Sequence, residues 1–149
     1  MKRVIKFRGY SPVTKGWVYG HLIPQSKYGQ IIDHIAPFVK NGSIEGVPVE
    51  ADTIGQFTGM VDKNGKPVYE GDIVRYRTTD ERHTKNPRYT NLVINYNESS
   101  ARFQAGDIYH QYLNSTKLEI IGNVHDNPEL LEEQNRYKVV NHEKVYFVK

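Results

Sequence analysis

No cysteine occurs among the 149 residues. That absence excludes a disulfide scaffold, a thiolate metal site and a cysteine nucleophile together. Long apolar runs are missing too: none approaches the ~18–20 residues that a bilayer-spanning helix needs. The start lacks a secretory apolar stretch, because Lys6 and Arg8 interrupt Val4, Ile5 and Phe7. No lipidation signature is present, since residue 2 is lysine and the chain ends Phe147-Val148-Lys149. A cytoplasmic protein with no membrane partner is the expectation. A strong net charge is also lacking. Lysine and arginine total 20 against 17 acids, a net of +3 (20 − 17). A protein that wraps a duplex usually carries a stronger positive field. Fixed-period repeats and low-complexity tracts are absent.

What is present suffices for a core. Hydrophobic residues make up 38% of the chain, with 11 tyrosines and 5 phenylalanines, which argues against full disorder. The length suits one domain, or one domain with a small appendage. The charge is uneven. Lys2, Arg3, Lys6 and Arg8 give four cations and no acid at the start. Residues 75–88 hold Arg75, Arg77, Arg82, Lys85 and Arg88 against Asp80 and Glu81.

Along the chain, residues 3–7 and 16–23 read as paired strands around a turn at Tyr10-Ser11-Pro12. Residues 30–39 are apolar but interrupted by Pro37, and periodicity leaves strand and helical turn both open. A subdomain boundary falls near residues 49–52. Residues 54–60 read as a strand, and Asn64-Gly65 suits a tight reversal with φ > 0 at both residues. In residues 72–77, Ile73, Arg75 and Arg77 share one face, with Val74 and Tyr76 on the other. Residues 78–91 read as an exposed loop, 92–96 and 101–104 as strands, and 118–124 as a strong strand. Asn127-Pro128-Glu129 opens a short helix, with Asn127 as cap and Pro128 at the first position. That helix is too short to stand alone and must dock through Leu130 and Leu131. Residues 137–140 and 144–148 form a terminal hairpin. Many short strands, turn signals and one short helix predict a mainly β fold, a small barrel or roll rather than a parallel sheet.

Several segments, in order, resemble one family, the YopX proteins of bacteriophages and prophages. They are Ile5-Lys6-Phe7-Arg8, Trp17-Val18-Tyr19-Gly20, Ile54-Gly55-Gln56-Phe57-Thr58-Gly59, Asp62-Lys63-Asn64-Gly65-Lys66, Tyr69-Glu70-Gly71-Asp72-Ile73-Val74, and Ile121-Gly122-Asn123-Val124 with Asn127-Pro128-Glu129-Leu130-Leu131. Each is weak alone, and the ordered set is specific. The resemblance implies an N-terminal β subdomain over residues 1–51, then an SH3-like barrel over 52–135. It also implies a phage or prophage gene acting in a bacterial host, and it implies no activity. Residues 136–149 run past the family motif and form a hairpin extension.

Chemistry is sparse. The histidines His21, His34, His83, His110, His125 and His142 make no pair at helical or strand spacing, so no metal and no cofactor is expected. Five residues separate Gly59 from Gly65 where a phosphate loop needs four, and Pro67 follows Lys66. Residues 62–65 lack the ligand spacing of a calcium loop. His125-Asp126 and the Glu70/Asp72 pair both read better as turn chemistry than as an acid–base site. No catalytic residue is assigned. The expected role is a non-enzymatic binding or assembly module, with a phage or host protein as a further partner.

Two surfaces are candidates. Arg75, Arg77, Arg82, Lys85 and Arg88 with Tyr89 combine cations for phosphates with an aromatic for bases, the ingredients of nucleic-acid binding. Val139, Val145, Tyr146, Phe147 and Val148 make the terminal hairpin apolar on both faces. Such a hairpin needs cover on both sides, either from a second copy in a homo-oligomer or from the N-terminal segment.

Overall fold

Backbone pairing organises the chain into thirteen strands, β1 to β13, with two 3-10 turns among the described residues. The computed structural model describes residues 2–27, 30–37, 46–78, 88–109, 113–131, 137–140 and 144–147. The mainly β class expected from the sequence is the class observed. The chain divides into two compact units, Met1–Met60 with Pro67–Glu70, and Val61–Lys66 with Gly71–Lys149.

The first unit carries a six-stranded sheet in the order β4-β3-β2-β1-β5-β6. Its strands are β1 Phe7–Ser11, β2 Gly16–Lys27, β3 Gln30–Pro37, β4 Val47–Pro48, β5 Gly55–Val61 and β6 Pro67–Tyr69. β1 begins where the sequence pattern stops and runs through the expected turn at Tyr10-Ser11. The reason is its central place: Phe7 pairs with Gly20 on one side and Gln56 on the other, and Ser11 still pairs with Gly16. The ambiguous run 30–39 resolves as a strand over Gln30–Pro37, because β3 pairs along β2 from Gly20–Pro37 to Lys27–Gln30; residues 38 and 39 lie outside the described residues. Ile35, Ala36, Val49 and Val68 form the buried apolar centre of this unit. Thr53 ties the 3-10 turn Ala51–Thr53 to β1, since its hydroxyl donates to the Glu50 carbonyl at 2.6 Å and accepts from the Tyr10 N–H at 2.8 Å.

The second unit carries a five-stranded antiparallel sheet in the order β10-β9-β8-β7-β11. Its strands are β7 Asp72–Arg77, β8 Tyr89–Asn97, β9 Arg102–Ala105, β10 Ile108–Tyr109 and β11 Leu118–Asn123. Among the described residues no pairing joins β10 to β11. Ile73, Val74, Ile94, Ala105 and Leu118 are its buried apolar centre. Ile121 is the extra residue of a bulge in β11, where the register with β7 slips between Ile120 and Gly122. β12 Tyr137–Val140 and β13 Lys144–Phe147 form the expected hairpin as a sheet of their own.

One carboxylate pins the edge of the second unit. Asp62 is buried, and its Oδ1 accepts from the N–H groups of Asn64 at 2.8 Å and Lys66 at 2.9 Å. Its Oδ2 accepts from the Ile120 N–H on β11 at 3.1 Å. The Lys63 N–H reaches the Leu118 carbonyl at 2.8 Å. This corrects the expected reversal: Gly65 alone of the Asn64-Gly65 pair has positive φ, +79°. The Asp62 side chain replaces the second left-handed residue by bonding its own backbone two residues on.

Burial acts first on the Asp62 carboxyl and pushes its pKa up. The N–H donors of Lys66, Ile120 and Asn64, with the nearby Lys66 charge, outweigh it and leave the pKa below its ordinary value. A lowered native pKa contributes stability that is present above the unfolded pKa and lost as pH falls through the folded one. Asp62→Asn keeps one carbonyl oxygen but sets an amide N–H against a backbone donor. It is expected to cost about 1–3 kcal/mol in denaturant unfolding at neutral pH. The gap to the native protein should shrink below about pH 4. An acid limb of equal size in Asp62→Asn would contradict this role.

Candidate nucleic-acid interface

β7 and β8 pair with Arg77 opposite Tyr89, Tyr76 opposite Thr90 and Arg75 opposite Asn91. Paired residues point to one face, and alternation keeps Arg75 beside Arg77 on that face. Arg75 is exposed, Arg77 is half-buried, Arg88 is exposed, and Tyr89 is 55% exposed. Val74 is buried and Tyr76 half-buried on the opposite side, as the alternation requires.

Ile73 shares the Arg75 face and is nevertheless fully buried. The Asn91 side-chain amide donates to the Leu130 carbonyl at 3.1 Å, which fastens the helical turn to the residue paired with Arg75. Along that face Arg75 is exposed and Arg77 half-buried. The helix starts where expected, but Asn127 turns its side-chain oxygen back to accept from the Asn123 N–H at 3.3 Å.

β11 lines the other side of β7 with Glu119 opposite Arg75. Its carboxylate is engaged by the Lys63 ammonium at 2.7 Å. Such an exposed pair adds little stability, but it gives the nearest cross-strand acid a partner other than Arg75.

Of the residues expected at this interface, the structure sets Arg75, Arg77 and Tyr89 on one face of the strand pair, with Arg88 in the residue before β8. Arg82 and Lys85 lie outside the described residues. On the terminal hairpin, register sets Val139 opposite Val145, Tyr137 opposite Phe147 and Lys138 opposite Tyr146. Val148 lies outside the described residues. His125 and Asp126 sit in an exposed turn whose backbone N–H groups both bond the Asn123 side chain. The Glu70 carboxylate accepts from the Gln56 N–H at 3.0 Å. Among the described residues no group of three His, Asp or Glu side chains is placed to hold a metal ion. No helix among them is long and apolar enough to cross a membrane.

A second constellation was not anticipated as a unit. In the first unit, Arg8 lies between two rings, its guanidinium carbon 4.9 Å from the Trp17 centroid and 5.3 Å from that of Tyr69. Its Nη2 donates to the Glu70 carbonyl at 3.1 Å. Gly55 makes this approach possible, since a Cβ there would collide with the Glu70 carbonyl oxygen. The Lys6 ammonium stands 4.5 Å from the Phe57 centroid and 5.9 Å from that of Tyr69. Tyr19 meets Tyr69 edge-on at 5.5 Å. The alternation of Lys6 with Arg8, and of Trp17 with Tyr19, was the available signal. Phe57 and Tyr69 join from distant strands and carry no local sign.

The YopX protein family matches residues 6–132 of the chain. The chain belongs to this family. A solved structure, protein EF1440 from Enterococcus faecalis, is similar at 25% identity with a TM-score of 0.52, covering 87% of this chain and 99% of its own. No functionally curated protein matches the sequence.

Arg8 gives a direct test of the stack. Arg8→Ala removes two ring contacts and leaves a backbone carbonyl short of a donor, an expected loss of about 1–3 kcal/mol. Arg8→Lys keeps the charge but not the planar fork, so it should recover only part of that loss. Denaturant unfolding followed through Trp17, the one tryptophan in the chain, reads both. Full recovery by lysine would mean that charge alone holds the site.

Proposed function

We propose that this YopX-family chain is a phage- or prophage-derived, non-enzymatic binding module whose β7–β8 face meets a polyanion, with nucleic acid as the partner. The observation that carries the reading is the placement of exposed Arg75 and Tyr89 with Arg77 on one face of paired strands. Cations in register along a strand meet successive phosphates, and an exposed tyrosine beside them packs against the sugar–phosphate backbone. Work inside a bacterial host cell fits this role.

A second reading concerns assembly. β12 and β13 form a two-stranded sheet of their own, and a lone hairpin is marginally stable in water. A second copy of the chain that adds strands or cover there would make the protein a homo-oligomer.

Binding of full-length protein to duplex DNA should weaken with salt along a log–log slope of about −3 if Arg75, Arg77 and Arg88 each neutralise a phosphate. The double substitution Arg75→Glu with Arg88→Glu should flatten that slope by about 2 and leave the melting temperature unchanged. Binding that ignores both salt and the substitutions would sink the reading. Light scattering tests assembly: oligomers that vanish on deleting residues 136–149 support it, and a monomer at all concentrations opposes it.

A further inference from the structure

The first unit carries an open pocket of about 410 Å³ lined by Lys2, Arg3, Val4, Phe57, Thr58 and Gly59. That volume lies within the ~300–1,000 Å³ of small-ligand sites. No lining residue is acidic. Lys2 and Arg3 are exposed at its rim. Phe57 gives it an aromatic wall and belongs to the cation–ring stack through Lys6. The stack continues to Tyr69 and to Tyr19, which is 47% exposed. The pocket therefore opens beside a surface where cations alternate with rings. The nearest acid on the stack, Glu70, already accepts a backbone N–H from Gln56.

We propose that this surface binds single-stranded nucleic acid, with unstacked bases against Phe57 and Tyr19 and the flanking phosphates on Lys2, Arg3 and Lys6. Charge fixes the sign of the ligand: residues 2–8 contain four cations and no acid. The rings fix its kind. An acidic peptide offers carboxylates but no succession of planar faces. A duplex offers phosphates but keeps its base faces stacked inside. Only a splayed strand supplies both at once. The inference stands on the first unit alone and does not rest on the β7–β8 reading.

The test uses the full chain and a fluorescent oligothymidylate, read by anisotropy. Binding is expected to be tighter than for a duplex of equal length, with a salt slope of about −2 for three phosphates on a single strand. Lys2→Glu with Arg3→Glu changes two exposed side chains and should flatten that slope by about 1.4. Tyr19→Ala and Phe57→Ala should each weaken binding between about 5- and 150-fold, the range for loss of one stacked base. Tyr19→Ala keeps the test decisive if Phe57→Ala fails to fold. Arg75→Glu with Arg88→Glu should leave oligothymidylate affinity within about twofold, which separates this site from the β7–β8 face. The proposal is overturned by no binding at low salt, by equal competition from oligoglutamate, or by duplex binding as tight as the single strand. It is also overturned if the Arg75/Arg88 substitutions abolish the binding while those at Lys2 and Arg3 do not.

Discussion

The pleat of β7 dictates which side chains of the second unit meet water. Val74 must face inward because successive residues take opposite sides, so Arg75 and Arg77 must share the other face with Ile73. On that face the Asn91 amide holds the Leu130 carbonyl, Ile73 is fully buried, Arg77 is half-buried and Arg75 is exposed. The same alternation in β1 and β2 sends Lys6, Arg8, Trp17 and Tyr19 to one side of the first unit's sheet, where rings and cations stack.

Holding these faces in register takes local devices, because the chain has no disulfide to do it. Asp62 fastens the turn at residues 62–66 to β11 through three backbone donors. Asn123 closes the turn between β11 and the helical residues, accepting from the N–H groups of both His125 and Asp126. Each device is short-range in effect, uses one polar side chain, and gives partners to backbone N–H groups that the strand ladders leave unpaired. Two acids that the sequence assigned to turn chemistry, Glu70 and Asp126, are likewise engaged, with the Gln56 N–H and the Asn123 amide.

Alternation was the legible part. Ile73 against Arg75, the pairing of residues 16–23 with the strand before them, and the terminal hairpin all follow from period-two patterns and turn residues. The fate of residues 30–39 was not legible, because an apolar run of that length with a proline fits two conformations until β2 offers a partner. The Asp62 turn misled for a related reason. Asn64-Gly65 has the composition of a two-residue reversal, but a side-chain acceptor two positions earlier offered a cheaper geometry. The cation–ring stack was illegible as a whole, since Arg8, Trp17, Phe57 and Tyr69 come from four strands. Their gathering arises from sheet order, which no local window contains.

The account's central claim is that the open end of the β7–β8 face is the surface this protein uses. An NMR titration of the full chain with duplex nucleic acid tests it most directly. Backbone amides of Arg75, Tyr76, Arg77, Tyr89 and Thr90 should shift in a saturable, salt-sensitive way, while those around buried Ile73 and Val74 move less. Saturating shifts confined to other surfaces, or none at low salt, would contradict the account.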